Sequence, residues 1–334
     1  MDERLRGRDF ITTSAWSVEE LEHMLQTASE FKAKFRRGEL TPLLQNLTLF
    51  MLFFEQSTRT RNSFEAGMTQ LGGHAHDLTP DKMQISHGET PFDTGNVLSR
   101  YGHAIGIRNC FWKIGNRYMR EVAEAASVPV FNMQCDYYHP CQVAADLMTI
   151  RERFGAGGLR GRKCVVSWAY APSYQKPMSV PQSLILLLPR FGMDVVLAHP
   201  PEFGLLPELV EQARSFAREA QVEFEITHDM DAAFEGAHVV YPKSWGCMMH
   251  TEDLEESAAV ASRYTDWICD ERRMKLASPE GVYMHCLPAD RGNEVTDGVI
   301  DGPQSVVFDE AENRLHVQKA IMVLTMKGDK TGET

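Results

Sequence analysis

Short apolar runs alternate with helix-patterned stretches along the whole chain, and this alternation restricts the possible folds more than any other feature. A parallel strand pair needs a crossover of a dozen or more residues, usually a helix, so the alternation predicts α/β units built on parallel sheets. In the first half "LTLFMLFF", "AIGIRN" and "VPVFNMQ" read as strands, with helices beginning near Ser57, Thr90 and Asn116. In the second half "KCVVSWAY", "GMDVVLAHP", "EFEITH", "HVVYPKS" and "GVYMHCLP" read as strands, and "LPELVEQARSFAREA" is an amphipathic helix between two of them. The expected fold class is therefore α/β, with two doubly wound parallel-sheet domains. The stretch from Pro140 to Phe154 reads as one linker helix, opened by a proline and closed by glycines. This places a first domain at residues 1–152 and a second at 153–311, with a last helix, 312–334, expected to pack back onto the first. The polar end "KGDKTGET" is expected to fray.

With 334 residues and 43% hydrophobic content the chain can bury two such cores. A net charge of −12 argues against nucleic acid or an anionic membrane surface as the main partner, because both reward a basic face. No apolar stretch approaches the roughly 20 residues that span a bilayer, and the charged start "MDERLRGRDF" lacks a secretory apolar segment. A cytoplasmic location is expected. The seven cysteines, at 110, 135, 141, 164, 247, 269 and 286, show no Cys-x-x-Cys spacing, so thiols rather than disulfides or structural zinc are expected. Neither a metal nor a cofactor is expected.

"FFEQSTRTRNSFE", residues 53–65, gathers Ser57, Thr58, Arg59, Thr60 and Arg61 where an apolar strand turns into a helix. The first N–H groups of a helix point outward and its dipole adds partial positive charge, so such a place suits an anion. The hydroxyls add donors, and an arginine supplies the planar fork that fits phosphate oxygens. The plain alternative is capping by Ser57 with surface ion pairs from the arginines; Arg61 is the arginine expected to be structural. A Walker-type loop is excluded, since G-x-x-x-x-G-K-[ST] is missing.

Five motifs, in order and spacing, resemble the aspartate/ornithine carbamoyltransferase family. They are Ser-Thr-Arg-Thr-Arg at 57–61, "AIGIR" ending at Arg108, "HPCQ" at 139–142, "HCLP" at 285–288 and "DEAENRLHVQKAIM" at 309–322. The resemblance implies a two-domain α/β enzyme, built as a homotrimer, that transfers a carbamoyl group from carbamoyl phosphate to an amine at a domain and subunit boundary. It further implies that Ser57, Thr58, Arg59 and Thr60 hold the phosphate while Thr58, Arg108 and His139 aim donors at the carbonyl oxygen. Gln142 would hold the carbamoyl nitrogen, with help from the carbonyls around Cys286 and Leu287. Arg314 would reach the phosphate from the last helix, although a lone arginine is usually a solvated surface residue. Gln84, in "DKMQISHGET" at 81–90 with His87 close by, matches the loop that family members insert into a neighbouring subunit's site; a surface loop is the alternative.

Two residues call for comment on their own chemistry. His139 precedes Pro140 at a helix start, where the dipole favours a neutral ring; a structural role is the ordinary reading of a lone histidine. Cys286 is not expected to be a nucleophile, because neighbours on a strand point to opposite faces and His285 is badly placed to activate it.

The acceptor is approached through a departure from the family. Where the ornithine enzymes carry Asp-x-Trp-x-Ser-Met-Gly this chain reads "YPKSWG", 241–246, and Lys243 in place of an aspartate favours a carboxylate over an amino group. "HCLPA" likewise departs from the "HPLPR" of the aspartate enzymes. Lys-Ser-Trp-Gly resembles the N-acetylornithine and N-succinylornithine enzymes, whose second domain is knotted around a proline-rich loop, and "WAYAPSYQKPMSVPQ" at 168–182 is the candidate loop here. That loop, "GNRYMREV", "NMQCDYYHP" and "MHCLPAD" most resemble the knotted YgeW-type branch. The following "RGNEVTDGV" is short, and Arg291 becomes an added acceptor-binding candidate. A small-molecule acceptor with a free carboxylate, an amino acid or ureido acid other than plain ornithine or aspartate, is expected to meet Lys243, Tyr174, Lys176 and Arg291. The alternatives are N-acetylornithine, N-succinylornithine or ornithine as acceptor, and a catalytically silent subunit that keeps the fold for binding or assembly.

Overall fold

Nine parallel strands carry the fold of the computed structural model, which describes residues 3–172, 176–328 and 330. The first four are β1 Thr48–Phe53, β2 His74–Leu78, β3 Ala104–Asn109 and β4 Val130–Cys135, and they form one sheet in the order β2-β1-β3-β4. The other five are β5 Lys163–Trp168, β6 Asp194–Ala198, β7 Phe224–Thr227, β8 Val239–Lys243 and β9 Val282–Tyr283, ordered β7-β6-β5-β8-β9. Both are doubly wound α/β sheets, in which the direction of strand addition reverses once. The chain divides into two units, Met1–Ala145 with Ala311–Thr334, and Asp146–Glu310.

Local chemistry accounts for most elements. β4 and β5 are buried along nearly their whole length, because sheets covered on both faces bury both rows of side chains. The helix Pro91–Ser99 starts on the Thr90 hydroxyl, which accepts from the Asp93 N–H. A Cβ at Gly95 in that helix would stand 2.8 Å from the Val122 carbonyl oxygen, so its close approach to the helix Gly115–Ala125 requires glycine. The linker helix runs Pro140–Phe154, with the expected bounds. The division into compact units falls inside it, after Ala145, and falls again inside the last helix, Val307–Thr325.

Three elements differ from the alternation of apolar runs. The helix Val18–Arg36 opens on a capping box formed by Ser17 and Glu20, and no apolar run announces it. β2 reads "HAHDL" and is half exposed, because an edge strand need not be apolar. β9 stops at Tyr283, so "MHCLP" is not strand: the backbone leaves the sheet at His285, and Leu287 takes a left-handed φ of 53°. Pro242 is accommodated inside β8 because β9 pairs only with Val239 and Val240 and has ended before it.

All seven cysteines are thiols. Among the described residues no helix is long and apolar enough to cross a membrane, and no group of three or more His, Cys, Asp or Glu is placed to hold a metal ion.

Candidate active site

In a doubly wound sheet the two strands that flank the reversal open a crevice at their carboxyl ends, which is where such folds take ligands. In the first unit these strands are β1 and β3. β1 ends at Phe53, whose register partner on β3 is Arg108, and the Phe54 N–H donates to the Arg108 carbonyl at 3.0 Å. The turn after β1 therefore begins beside Arg108. It leads into the helix Arg59–Gln70, whose N-cap is Thr58, with no capping hydrogen bond from its side chain. Capping by Ser57, the plain alternative, is not what the structure has. The first bond into this helix runs from the Asn62 N–H to the Thr58 carbonyl at 3.3 Å, so the N–H groups ahead of it point out of the helix end.

The two arginines of the stretch divide their labour. Arg61 forms an ion pair with Asp77 and lies over the Phe53 ring, 4.1 Å from its centroid, and is structural as expected. Arg59 is half-buried in the first helical turn. From the far end of the sequence Arg314 joins the site. It is 2% exposed, its Nη2 donates to the Thr60 hydroxyl at 2.6 Å, and its Nη1 donates to the Gln142 side-chain carbonyl. Gln142 and His139 are buried at the start of the linker helix, where the His139 carbonyl accepts from the N–H groups of Gln142 at 3.1 Å and Val143 at 3.2 Å. The Arg108 Nε is buried and meets no hydrogen-bond partner among the described residues, leaving a donor for an incoming oxygen. Cys141, inside "HPCQ", is no nucleophile, because burial pushes its thiol up to about 12.

Structure thus joins Thr60, Gln142 and Arg314 directly and sets Ser57 to Arg59 beside Arg108. Gln84 is exposed on a short 3₁₀ turn, where its side-chain carbonyl lies 2.8 Å from His87 Nδ1. Among the described residues, no hydrogen bond ties it to the other site candidates.

In the second unit the reversal lies between β5 and β8, and Lys243 ends β8 opposite Trp168. Lys243 is 6% exposed, and its ammonium donates to the Ser244 carbonyl at 2.8 Å without an ion pair to any carboxylate of the described chain. Burial lowers its pKa. Beside it Ser244, Trp168, Phe203, Trp245 and Ala258 line a cavity of about 390 Å³. Tyr174, the aromatic acceptor candidate, lies outside the described residues.

The other two acceptor candidates are engaged elsewhere. Lys176 is buried, with Nζ 2.7 Å from Glu294 and 3.3 Å from Asp290. Arg291 is on the surface, bonded to Asp297 and bidentately to Asp301. An arginine in a loop and a lysine near prolines look available in sequence; carboxylates placed against them in the fold decide otherwise.

Glu294, absent from the sequence-based candidates, is the hub of this region. It is fully buried and accepts from the Ser244 N–H, from the Asp290 N–H at 2.7 Å and from Lys176, with His285 Nε2 at 3.4 Å. Burial pushes its carboxyl up, but His285, Lys176 and Lys243 outweigh that and hold it ionised. Nothing local marks it, since Lys176 is 118 positions away. His285 is also fully engaged: the Leu287 N–H donates to its Nδ1 at 2.8 Å, which puts the proton on Nε2, and burial keeps the ring neutral. Cys286 is therefore without a base in His285, although the reason is this bonding rather than opposite faces of a strand.

Comparison with known proteins gives the family and the fold. The family domain described as "Aspartate/ornithine carbamoyltransferase, carbamoyl-P binding domain" matches residues 8–152, and the "Asp/Orn binding domain" of the same family matches residues 175–325. The ornithine carbamoyltransferase of Halalkalibacterium halodurans is 40% identical over 97% of each chain. The carbamoyltransferase-like protein YgeW of Escherichia coli K12 is 37% identical over 98% of this chain and 92% of its own. Among solved structures, ornithine carbamoyltransferase from Pyrococcus furiosus superposes with a TM-score of 0.87 at 39% identity, covering 97% of this chain and 98% of that one. An acetylornithine transcarbamylase bound to acetylcitrulline gives 0.87 at 37%, covering 95% and 98%. The chain belongs to the aspartate/ornithine carbamoyltransferase family and is a carbamoyltransferase.

Proposed function

We propose that the enzyme binds carbamoyl phosphate through its first unit and transfers the carbamoyl group to or from the amine of an acceptor that carries a free carboxylate. Carbamoyl transfer needs an amine to attack a carbonyl, donors for the oxyanion that forms, and positive charge for the departing phosphate. Ser57, Arg59, Thr60, Arg314 and the helix N-terminus supply the phosphate end. Thr58, Arg108 and His139 supply donors to the carbonyl oxygen, and the Gln142 side-chain carbonyl accepts from the carbamoyl NH₂.

One observation carries the acceptor reading: Lys243 buries an ammonium group at the reversal point of the second sheet with one carbonyl as its partner. A buried cation is costly unless it is paired, so an acceptor carboxylate is the natural counter-charge. The adjoining cavity leaves room for the carbon skeleton. Lys176 and Arg291 no longer belong to this reading. Resemblance to acetylornithine transcarbamylase favours an N-acylated amino acid as a second choice.

The test is a screen of carboxylate-bearing amines, with N-acetyl-L-ornithine, N-succinyl-L-ornithine and L-ornithine included, for phosphate release that depends on carbamoyl phosphate. Carbamoyl phosphate should also raise the melting temperature of the wild type and scarcely shift Arg59→Ala, whose turnover is expected to fall about 100-fold or more. A full thermal shift in that variant removes the phosphate assignment. Preference for plain ornithine, with Lys243→Ala equally active on it, removes the acceptor assignment.

A further inference from the structure

Aromatic rings wall the cavity beside Lys243. Trp168, at the end of β5, lies with its ring centroid 4.3 Å from that of Phe203, and these two rings and Trp245 are each 1% exposed. Both indole N–H groups are spent on the backbone: Trp168 Nε1 donates to the Trp245 carbonyl at 2.9 Å, and Trp245 Nε1 donates to the Phe203 carbonyl at 2.8 Å. These bonds fix the rings in place and leave no indole donor for a ligand.

Among the described residues no acidic or basic side chain lines this cavity, and the hydroxyls of Tyr170, Ser244 and Ser257 are the polar side-chain groups that remain. Ser244 joins the cavity to the nearby charge, because its carbonyl accepts from the Lys243 ammonium. At about 390 Å³ the space is more than twice the roughly 150 Å³ that takes up a benzene ring. An acetyl group would leave most of it unfilled, and a wall that meets no partner atoms forfeits its dispersion contacts. A charged group fares worse, since a carboxylate or ammonium entering there loses water without meeting a counter-charge.

We propose that the acceptor carries, on the nitrogen beside its carboxylate, an uncharged apolar acyl group larger than acetyl, and that this cavity holds that group. This rests on the functional reading above, in which Lys243 meets the carboxylate, and it gives that acceptor its chemical class. Acylation removes the positive charge that a free α-amino group would bring next to the Lys243 ammonium. A succinyl group, which ends in a second carboxylate, is disfavoured because the cavity wall has no cation for it. An aryl or branched-chain acyl group meets the aromatic walls instead.

Calorimetry with N-acyl-L-norvalines, which lack the reacting amine, tests this with carbamoyl phosphate present throughout. Each buried methylene tightens binding about fourfold, so N-benzoyl-L-norvaline should bind at least about tenfold more tightly than N-acetyl-L-norvaline. N-Succinyl-L-norvaline should bind at least about tenfold more weakly than the N-butanoyl compound of similar length. Ala258→Phe fills the cavity from an exposed position on the helix Leu254–Ala261 and should bring the benzoyl-to-acetyl ratio close to one. A benzoyl compound that binds no better than the acetyl one, a succinyl compound that equals the butanoyl one, or a benzoyl preference that survives in Ala258→Phe overturns the proposal and leaves the carboxylate reading in place. N-Butylbenzamide is N-benzoyl-L-norvaline without its carboxylate. Equal affinity for it, or no binding anywhere in the series, removes the carboxylate reading and this proposal with it.

Discussion

In the first unit the buried guanidinium of Arg314 donates to neutral side chains, Thr60 and Gln142, whereas in the second the buried ammonium of Lys176 faces the carboxylates of Glu294 and Asp290. The physical consequences differ. Hydrogen bonds to a hydroxyl and an amide carbonyl orient a guanidinium without cancelling its charge, while a cation paired with a carboxylate is electrically cancelled and contributes rigidity. Within one unit the second crevice repeats the contrast: Lys176 is ion-paired to Glu294 and Asp290, whereas Lys243 donates to the Ser244 carbonyl and is the charge that the proposed reading offers to a ligand. Position near a site is thus less informative than what already neutralises the group.

The largest expected effect breaks the paired side of this comparison. Glu294→Ala should lower unfolding stability by about 3–5 kcal/mol, since it removes the nearer of the two carboxylates that face Lys176 and the acceptor of two backbone N–H groups, and denaturant titration should show it. A loss below about 1 kcal/mol would mean that the hub is not structural.

Lys243→Met tests the other side. Loss of a charge-assisted bond should cut kcat/KM for the acceptor by about 10- to 100-fold, about 1.5–3 kcal/mol, with carbamoyl phosphate binding intact. The pH dependence follows from the lowered pKa of Lys243. An anionic acceptor needs the protonated lysine, so its KM should rise as pH climbs through that lowered value. For stability the sign is opposite: between the folded pKa and the unfolded one the unfolded chain binds more protons, so the burden of the buried charge is relieved as pH rises. Wild type and Lys243→Met should therefore converge in melting temperature toward high pH. Parallel profiles would show that Lys243 carries no buried charge.

The smallest effect belongs to Arg291→Ala. Exposed ion pairs are screened by solvent and contribute little, so the melting temperature and the acceptor KM should both remain close to wild type. A KM raised tenfold would return Arg291 to the site and undo the distinction between occupied and available charge.

How far these features were legible in the sequence depended on how local their causes are. The linker helix was readable to its bounds because Pro140 starts it and Gly155, with a φ of 82°, ends it. The turn from β1 into the helix Arg59–Gln70 was readable because an apolar run ends there and hydroxyls and arginines crowd the junction. β2 was not, since an edge strand of two histidines and an aspartate has no apolar run, and neither was the early end of β9, which depends on a bond from His285 to Glu310, 25 positions on.

The sequence by itself determined the α/β class, the strand-to-helix turn after β1, the family and the substitution of Lys243 for an aspartate, because periodicity, turn chemistry and residue type are properties of neighbours along the chain. Tertiary structure alone decided which charges are already answered: it gave Lys176 to Glu294 and Arg291 to Asp301, drew Arg314 to Thr60 from 254 positions away, and seated Glu310 behind His285. The reason is electrostatic. A charged side chain is available or cancelled according to what folding brings within a few ångströms of it, and that distance is not written along the chain.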